Sequence, residues 1–199
     1  MNRKRIVILV VICIAFMPLF IKIYDTYKKY TLPEEKWFGI GEGFEYTGLE
    51  YKLKNVEEYS IERFGEVFGL SADNFIETGD LKNETIKYFV MTIDLTAVDE
   101  DYEYDYSQIA YVSKYTSSHS AEYDIMFKIN PKNIEKDKLK VGETAENYLV
   151  FKFSTLYYDL DTLNELEAED IAMGILDYKN GCANFLCKGE PIQTNGVRK

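Results

Sequence analysis

The sequence predicts an all-β fold, an antiparallel β-sandwich preceded by one amino-terminal transmembrane helix. Three observations lead to this fold class. Roughly seven short segments alternate apolar with polar residues, polar turns separate these segments, and an uncharged apolar run occupies residues 6–21. Since no later segment carries a convincing long helical pattern, the strands are expected to bury their apolar faces against one another.

The longest alternating segment, residues 86–96, is predicted to be the central strand. Aromatic and β-branched residues are frequent in it, which favours a strand over a helix. One parity is apolar throughout and comprises Phe89, Met91, Ile93 and Leu95. This face needs cover from other strands, and the same alternation predicts strands at residues 49–54, 109–112, 125–129, 148–153 and 171–178.

Two connecting segments have a different composition. Residues 57–80 place aromatic residues at near-helical spacing around Gly65 and Gly69, and because glycine weakens a helix, an insertion with one helical turn is expected. Residues 115–121 are rich in serine and threonine and are predicted to form a loop. This loop would expose the only histidine, His119, to solvent rather than place it in a catalytic triad, whose members usually come from separate elements.

Charge is distributed unevenly along the 199 residues. Residues 1–30 hold six Lys/Arg and one acidic side chain, which leaves 17 basic and 33 acidic side chains in the remainder. A domain this acidic repels the phosphates of nucleic acids and anionic lipid headgroups. We therefore exclude nucleic acid as a partner.

The amino-terminal apolar run predicts a membrane topology. Three basic residues (3–5) precede the run and Lys22 follows it, so an uncleaved signal anchor is expected over residues 6–24. A cleaved signal peptide and a core helix are the alternatives, although no small-residue cleavage site follows the run. Because a short basic tail usually stays in the cytoplasm, a single-pass protein of the cell membrane with an extracytoplasmic domain is expected.

This topology divides the chain into five parts. They are a cytoplasmic basic tail (1–5), the transmembrane signal anchor (6–24), a linker (25–38), an extracytoplasmic β-sandwich domain (39–190) and a flexible carboxyl-terminal tail (191–199). The length is sufficient for one domain of about 150 residues besides the anchor.

Two cysteines are candidates for a disulfide. Cys182 and Cys187 are the only cysteines outside the apolar run, which contains Cys13. In an oxidising compartment they are expected to pair with each other, with free thiols as the alternative. Zinc would need further Cys or His ligands, and His119 is the only histidine.

Acidic residues form two clusters. In the first, Asp99, Asp101, Glu103 and Asp105 share one parity, and Tyr102, Tyr104 and Tyr106 share the other. The spacing lacks the glycine and the closing glutamate of a calcium loop, so a solvated face beside a tyrosine ladder is expected, with a weak divalent-cation site as the alternative. A second acidic cluster at residues 159–170 has the same interpretation, and no two carboxylates stand out as a glycosidase pair.

The order of these elements resembles a known family. A long central strand ends in an acidic turn (88–101), a short strand follows at Ile109, and the turn Gly142-Glu143 leads into the strand at 148–153. Over residues 39–178 the chain resembles the telokin-like, immunoglobulin-like domains of unknown function on membrane-anchored or lipoprotein surface proteins of Gram-positive bacteria. The resemblance implies an immunoglobulin-like sandwich and no catalytic residue. The insertion at 57–80 departs from the family pattern.

The sequence thus favours a membrane-anchored, extracytoplasmic binding or accessory module that is not an enzyme. It would contact another envelope protein or a ligand through a β-edge or through some of its 17 tyrosines. The alternatives are a cell-wall-active hydrolase that uses a carboxylate pair and a divalent-cation-sensing domain. No cofactor is expected, and the sequence does not predict the oligomeric state.

Overall fold

The computed structural model of the protein describes residues 34–70, 85–104, 106–120, 122–132, 134, 137–177 and 179–192, together with residues 18 and 22. The chain divides into two compact units, residues 1–34 and residues 35–199. Of the first unit only residues 18, 22 and 34 are described, so the described fold is essentially that of the second unit.

The described strands form two sheets. They are β1 (Glu34–Phe38), β2 (Gly43–Tyr46), β3 (Leu49–Ser60), β4 (Ile86–Ala97), β5 (Ile109–Ser113), β6 (Thr116–Ser120), β7 (Thr144–Ser154), β8 (Ile171–Asp177) and β9 (Cys182–Cys187). The five-stranded sheet has the order β1-β9-β8-β5-β6, and the four-stranded sheet has the order β2-β3-β4-β7. Every strand pair with a described register is antiparallel.

Strand β4 carries the apolar face that joins the two sheets. Its residues Phe89, Met91, Ile93 and Leu95 are completely buried, which confirms the predicted central strand and its apolar parity. Phe89 pairs in register with Phe151 of β7, so the two side chains lie on the same face. The ring of Tyr111, from β5 in the other sheet, lies 4.8 Å from that of Phe151. Burial of each such side chain stabilises the fold by about 1.5–3 kcal/mol.

Helices α1 (Ile61–Phe68), α2 (Tyr123–Ile129) and α3 (Leu160–Glu165) make the fold mixed, so the predicted all-β, immunoglobulin-like class is wrong. The reason lies on the second face of β4, where Tyr88 and Val90 are also buried. Phe64 of α1 stacks on Tyr88 with 4.7 Å between ring centroids. The first half of β4 is apolar on both faces and needs cover on both sides, and α1 covers the side away from the five-stranded sheet at Tyr88.

The insertion expected at 57–80 starts later than predicted, because residues 57–60 are the end of β3. Its helix, α1, is eight residues long, about two turns instead of one, and residues 71–80 lie outside the described residues.

Residues 125–129, predicted as a strand, belong to α2. Ile125 and Met126 are neighbours in sequence and both are buried, whereas Phe127 is 47% exposed. Ile125, Met126 and Ile129 fall on one side of a helix, so the same apolar residues fit a helical face as well as an alternating strand. Over so short a segment the hydrophobic period does not separate the two structures.

The predicted transmembrane helix is not supported and is withdrawn. No helix in the described part of the chain is long and apolar enough to cross a membrane. The segment 6–24 lies outside the described residues except for residues 18 and 22. The uncharged run 6–21 would span only about 24 Å as a helix, which is less than the hydrocarbon thickness of about 30 Å.

Two further boundaries differ from the prediction. Residues 34–38 were expected to be linker, yet they form β1 at the edge of the five-stranded sheet. Residues 116–120 were expected to be loop, yet they form β6 and pair with β5. Serine and threonine are compatible with an edge strand whose neighbour supplies the hydrogen bonds, so composition alone did not exclude a strand. His119 therefore lies on a strand, opposite Tyr111 in register.

Strands β8 and β9 approach each other closely at Gly174. A Cβ atom built on Gly174 would lie 2.7 Å from Cε1 of Phe185, its partner in register. Phe185 also stacks on Trp37 of β1, with 4.4 Å between ring centroids. The absence of a side chain at Gly174 thus lets one aromatic ring lie across β8 while it contacts β1.

We expect Gly174→Ala to lower the free energy of unfolding by about 1–3 kcal/mol, because the added methyl group displaces Phe185. Urea unfolding of the full chain measures the change. Gly39→Ala is the matched control, since its Cβ would meet only Oε2 of Glu42 at 3.7 Å. Equal unfolding midpoints for the two variants would show that Phe185 moves aside without cost.

Strand β7 lies at an edge of the four-stranded sheet, and the segment around α2 covers its middle. Nδ2 of Asn130 donates a hydrogen bond to the carbonyl of Tyr148 (2.9 Å), and the N–H of Tyr148 donates to Oδ1 of Asn130 (2.5 Å). The N–H of Glu122 donates to the carbonyl of Val150 (2.8 Å). An uncovered edge of this length pairs readily with other chains, so these bonds protect β7 from edge-to-edge association.

We expect Asn130→Asp to destabilise the fold by about 2 kcal/mol, because a carboxylate oxygen would replace the donor that faces the carbonyls of Met126 and Tyr148. Thermal unfolding with light scattering measures both the loss and any aggregation through β7. Asn55→Asp adds the same charge but keeps the oxygen that accepts from the N–H of Val56, so it serves as the control. A similar melting temperature for both variants would contradict the role assigned to Asn130.

Candidate functional site

Three large apolar side chains are exposed where the chain passes from β7 into α3. Leu156 and Tyr157 lie in the connection and are 63% and 72% exposed, and Leu160, the first residue of α3, is 50% exposed. We name these three residues the apolar tip. Single exposed apolar residues are common, but three within five positions of the chain indicate a local patch that water solvates poorly.

The local sequence explains why these side chains point outward. The chain turns at Ser154, whose carbonyl accepts hydrogen bonds from the N–H groups of Tyr157 and Tyr158, both at 3.1 Å. The Ser154 hydroxyl also accepts from the N–H of Leu156 at 3.3 Å. Tyr158 turns inward and packs on Phe153 at 5.4 Å. Its neighbours Leu156 and Tyr157 therefore remain at the surface.

Asp159 starts α3 directly after this turn. Its Oδ1 accepts from the N–H of Thr162 at 2.8 Å, and its Oδ2 accepts from the Thr162 hydroxyl at 2.9 Å. These two bonds lower the pKa of Asp159 below its usual range. Leu163 and Leu166 are buried and hold the inner side of the helix on the core. The first residue of the helix, Leu160, stays half exposed as part of the tip.

Lys87 of β4 attaches the end of α3 to the four-stranded sheet. Its Nζ donates to the carbonyl of Leu166 at 3.1 Å and lies 3.0 Å from Oε1 of Glu58 on β3. On the other side of the tip, Thr155 and Thr85 exchange two hydrogen bonds at 3.1 Å. The apolar tip is thus held at both ends by bonds to regular structure, which is the arrangement expected of a preorganised contact surface.

Acidic side chains surround the apolar tip and α3. Residues 153–178 contain seven acidic residues and no lysine or arginine. Six of them form the second acidic cluster, namely Asp159, Asp161, Glu165, Glu167, Glu169 and Asp170, and the seventh is Asp177. Lys114 pairs with Asp170 and Lys188 pairs with Glu169, both at 3.0 Å. This second acidic cluster is therefore partly structural, since two of its carboxylates form ion pairs and Asp159 caps a helix.

The first acidic cluster has the predicted alternation. Tyr102 and Tyr104 are buried, whereas Asp99, Asp101 and Glu103 are exposed. The hydroxyl of Tyr102 accepts from the N–H of Leu139 at 2.7 Å. Asp105 lies outside the described residues, as does the side chain of Tyr106. The described part of the chain contains no group of three or more His, Cys, Asp or Glu that could hold a metal ion.

Cys182 and Cys187 do not form the predicted disulfide. Both are buried free thiols at opposite ends of β9. Five steps along an extended strand separate their Cα atoms by about 16 Å, whereas a disulfide requires roughly 4.4–6.8 Å. Burial raises the pKa of Cys187, and its Sγ donates to the carbonyl of Gly189 at 3.2 Å. The spacing of the two cysteines in the sequence did not exclude a disulfide, because it does not show that a single extended strand spans both of them.

One pair of carboxylates does meet on the outer face of the four-stranded sheet. Asp94 and Glu146 are partners in register, and Nζ of Lys54 bonds to Glu146 and lies 3.7 Å from Oδ1 of Asp94. The hydrogen bond from Lys54, followed by that from the Tyr148 hydroxyl, lowers the pKa of Glu146. A glycosidase acid requires a raised pKa, so Glu146 is poorly suited to that role.

Sequence analysis did not identify the apolar tip. The sequence predicts no strand, helix or site at residues 155–158 or at Leu160, and it places Asp159 only in the second acidic cluster. Two signals could have indicated the apolar tip: two apolar residues one position beyond the end of the strand, after Thr155, and a second leucine placed between two aspartates in a stretch without basic residues. Neither signal reveals exposure, because Tyr158 in the same stretch turns inward.

We expect the stabilisation that Asp159 contributes to α3 to disappear in acid. Because its folded pKa is lowered, the contribution is complete above the pKa of a free aspartate, about 3.9, and is lost as the pH falls through the lower folded pKa. Amide exchange across residues 160–165 measures this. Asp159→Asn keeps a capping oxygen that does not titrate, so its exchange should depend less on pH. Identical pH profiles for the two proteins would contradict the role of the carboxylate.

No protein-family model matches the chain, and no curated protein matches it. Among solved structures, the chain is similar to the YjhA protein from Bacillus subtilis, with 12% sequence identity and a TM-score of 0.36. The comparison covers 76% of this chain and 99% of that chain. At this TM-score the similarity carries no argument about fold or function, and the resemblance to telokin-like domains stays a prediction.

Proposed function

We propose that the described domain is a non-catalytic binding module that contacts a partner protein through the apolar tip. The observation that carries the proposal is the exposure of Leu156, Tyr157 and Leu160 by half or more on a connection bonded at both ends. A tyrosine beside aliphatic side chains is typical of the residues that contribute most to protein interfaces. The tyrosine-rich contact expected from the sequence is thus centred on Tyr157.

Charge favours a different protein as the occupant. Two copies of the chain that met tip to tip would bring the acidic residues of residues 159–170 against one another, which is repulsive. An anionic lipid surface would be repelled in the same way. A partner protein whose surface is not acidic meets neither obstacle. The envelope protein predicted as partner, and the location outside the cytoplasm, stay predictions.

The two alternatives have less support in the described residues. For a hydrolase, the paired carboxylates Asp94 and Glu146 share one lysine, and the pKa of Glu146 is lowered rather than raised. For a cation sensor, Asp99, Asp101 and Glu103 are exposed, and among the described residues they do not form a group that could hold a metal ion. We therefore favour binding over catalysis and over cation sensing.

A photocrosslinking phenylalanine analogue at position 157 tests the proposal in the full chain in its native host. We expect one specific adduct, which is absent when the analogue replaces Val67, an apolar residue of α1 that is 55% exposed. The adduct should also disappear when Leu156→Ser and Leu160→Ser are added. These exposed substitutions should change the free energy of unfolding by less than about 0.5 kcal/mol each.

The partner identified in the adduct is then purified and its affinity measured. Tyr157→Ser should weaken binding at least about tenfold, which corresponds to about 1.4 kcal/mol, the range of an interface residue that dominates binding. Equal labelling from positions 157 and 67, or unchanged affinity of the Tyr157→Ser variant, would refute the proposal.

A further inference from the structure

We infer that the partner presents a cationic segment with an apolar anchor residue, so that its apolar side chain contacts the apolar tip and its lysine or arginine contacts α3. This inference rests on the proposed function and names the chemistry of the partner. It depends on which carboxylates near the tip have no cation of their own.

Asp161 and Glu165 are the carboxylates that a partner could use. They lie four residues apart on α3 and are both exposed, so they share one face of the helix. Within the described part of the chain no lysine or arginine forms an ion pair with either of them. Glu165 accepts a hydrogen bond from the hydroxyl of Tyr115 at 3.2 Å, and Lys114, which lies against the Tyr115 ring, forms its ion pair with Asp170 instead. By contrast, Asp170 and Glu169 already have Lys114 and Lys188.

Two like charges at this spacing on a helix repel each other, and a salt bridge to a nearby lysine usually relieves the repulsion. The chain supplies no such lysine between residues 153 and 178. A cation from a partner would relieve it. Asp161 and Glu165 therefore favour a cationic partner for the same reason that they oppose a second copy of this chain.

The geometry sets the spacing within the partner segment. Leu160 and Glu165 are separated by about 7.5 Å along the helix axis, at 1.5 Å per residue. An extended peptide rises about 3.3 Å per residue. Glu165 also lies about 140° around the helix from Leu160, at about 100° per residue, so the path between the two side chains is longer than the axial distance. An apolar residue at the tip and a lysine or arginine three or four positions away, with its long side chain, would reach both groups at once.

Synthetic peptides of about eight residues test this with the purified full chain, read by fluorescence anisotropy. One peptide carries a leucine and two lysines at the stated spacing. The second replaces the lysines with glutamate, and the third replaces the leucine with serine. We expect binding of the first peptide only, weakened several-fold when salt rises from about 50 mM to about 500 mM.

Variants locate the contact. Asp161→Asn with Glu165→Gln should weaken the cationic peptide at least about fivefold and remove most of the salt dependence. Glu45→Gln with Glu50→Gln is the matched control, because it removes the same charge from an exposed cross-strand pair on β2 and β3. Leu156→Ser with Leu160→Ser should abolish binding of the same peptide.

Each outcome decides between the inference and the proposed function. Equal weakening by the Glu45/Glu50 and Asp161/Glu165 pairs would mean attraction to the net charge of the whole protein, and the inference fails. Binding of the leucine peptide regardless of its charge, or no binding of any peptide, also overturns the inference. In these cases a specific adduct at position 157 leaves the proposed function standing, whereas absence of that adduct removes the proposed function itself.

Discussion

The fold depends on the burial of β4 on both of its faces. One face, with Phe89 and Met91 at its centre, packs toward the five-stranded sheet, and the other presents Tyr88 and Val90. A strand with one solvent-exposed face can lie at the surface of a sandwich, but β4 has apolar residues on its second face that need to be covered. Its second face needs α1, whose Phe64 is completely buried against it. The mixed character of the fold thus follows from the first half of one strand, which is apolar on both sides, whereas the second half carries Thr92, Asp94 and Thr96 on its outer face.

The same strand also positions the apolar tip. Lys87, the second residue of β4, bonds the carbonyl of Leu166, while Thr85, just before the strand, bonds Thr155. The connection from β7 to α3 is therefore attached to the most buried strand of the sheet. Leu156 and Tyr157 remain exposed because the neighbouring Tyr158, Leu163 and Leu166 already provide the contacts with the core. The tip is therefore exposed because other residues of the same segment contact the core. These contacts fix the position of the segment, while its surface stays apolar.

Sequence reasoning succeeded where one residue pattern permits one structure. The period of two over residues 86–96 was long enough to define β4, and the alternation of acids and tyrosines at 99–104 correctly separated exposed from buried side chains. It failed at 125–129, where a short apolar pattern fits a helix and a strand equally well. It also failed at 116–120, where a serine- and threonine-rich composition predicted a loop but the segment pairs with β5 as a strand. The apolar tip could not be predicted for a different reason. The sequence does not show which of several neighbouring apolar residues packs on the core, as Tyr158 does, and which stay exposed, as Leu156 and Tyr157 do.

The acidic residues of the chain have different roles, which the net charge of −11 does not distinguish. Asp159 stabilises α3 as its cap, and Asp170 and Glu169 each hold a lysine from another strand or turn. Such carboxylates contribute to the fold, and removing them would weaken it. Asp161 and Glu165 have no ion pair of this kind in the described part of the chain. Asp161 lies in the first turn of α3, where the helix dipole favours it, and Glu165 accepts the Tyr115 hydroxyl, yet the two charges share one helical face and repel each other. A helix that keeps this repulsion beside an exposed apolar patch is better suited to a cationic partner than to isolation.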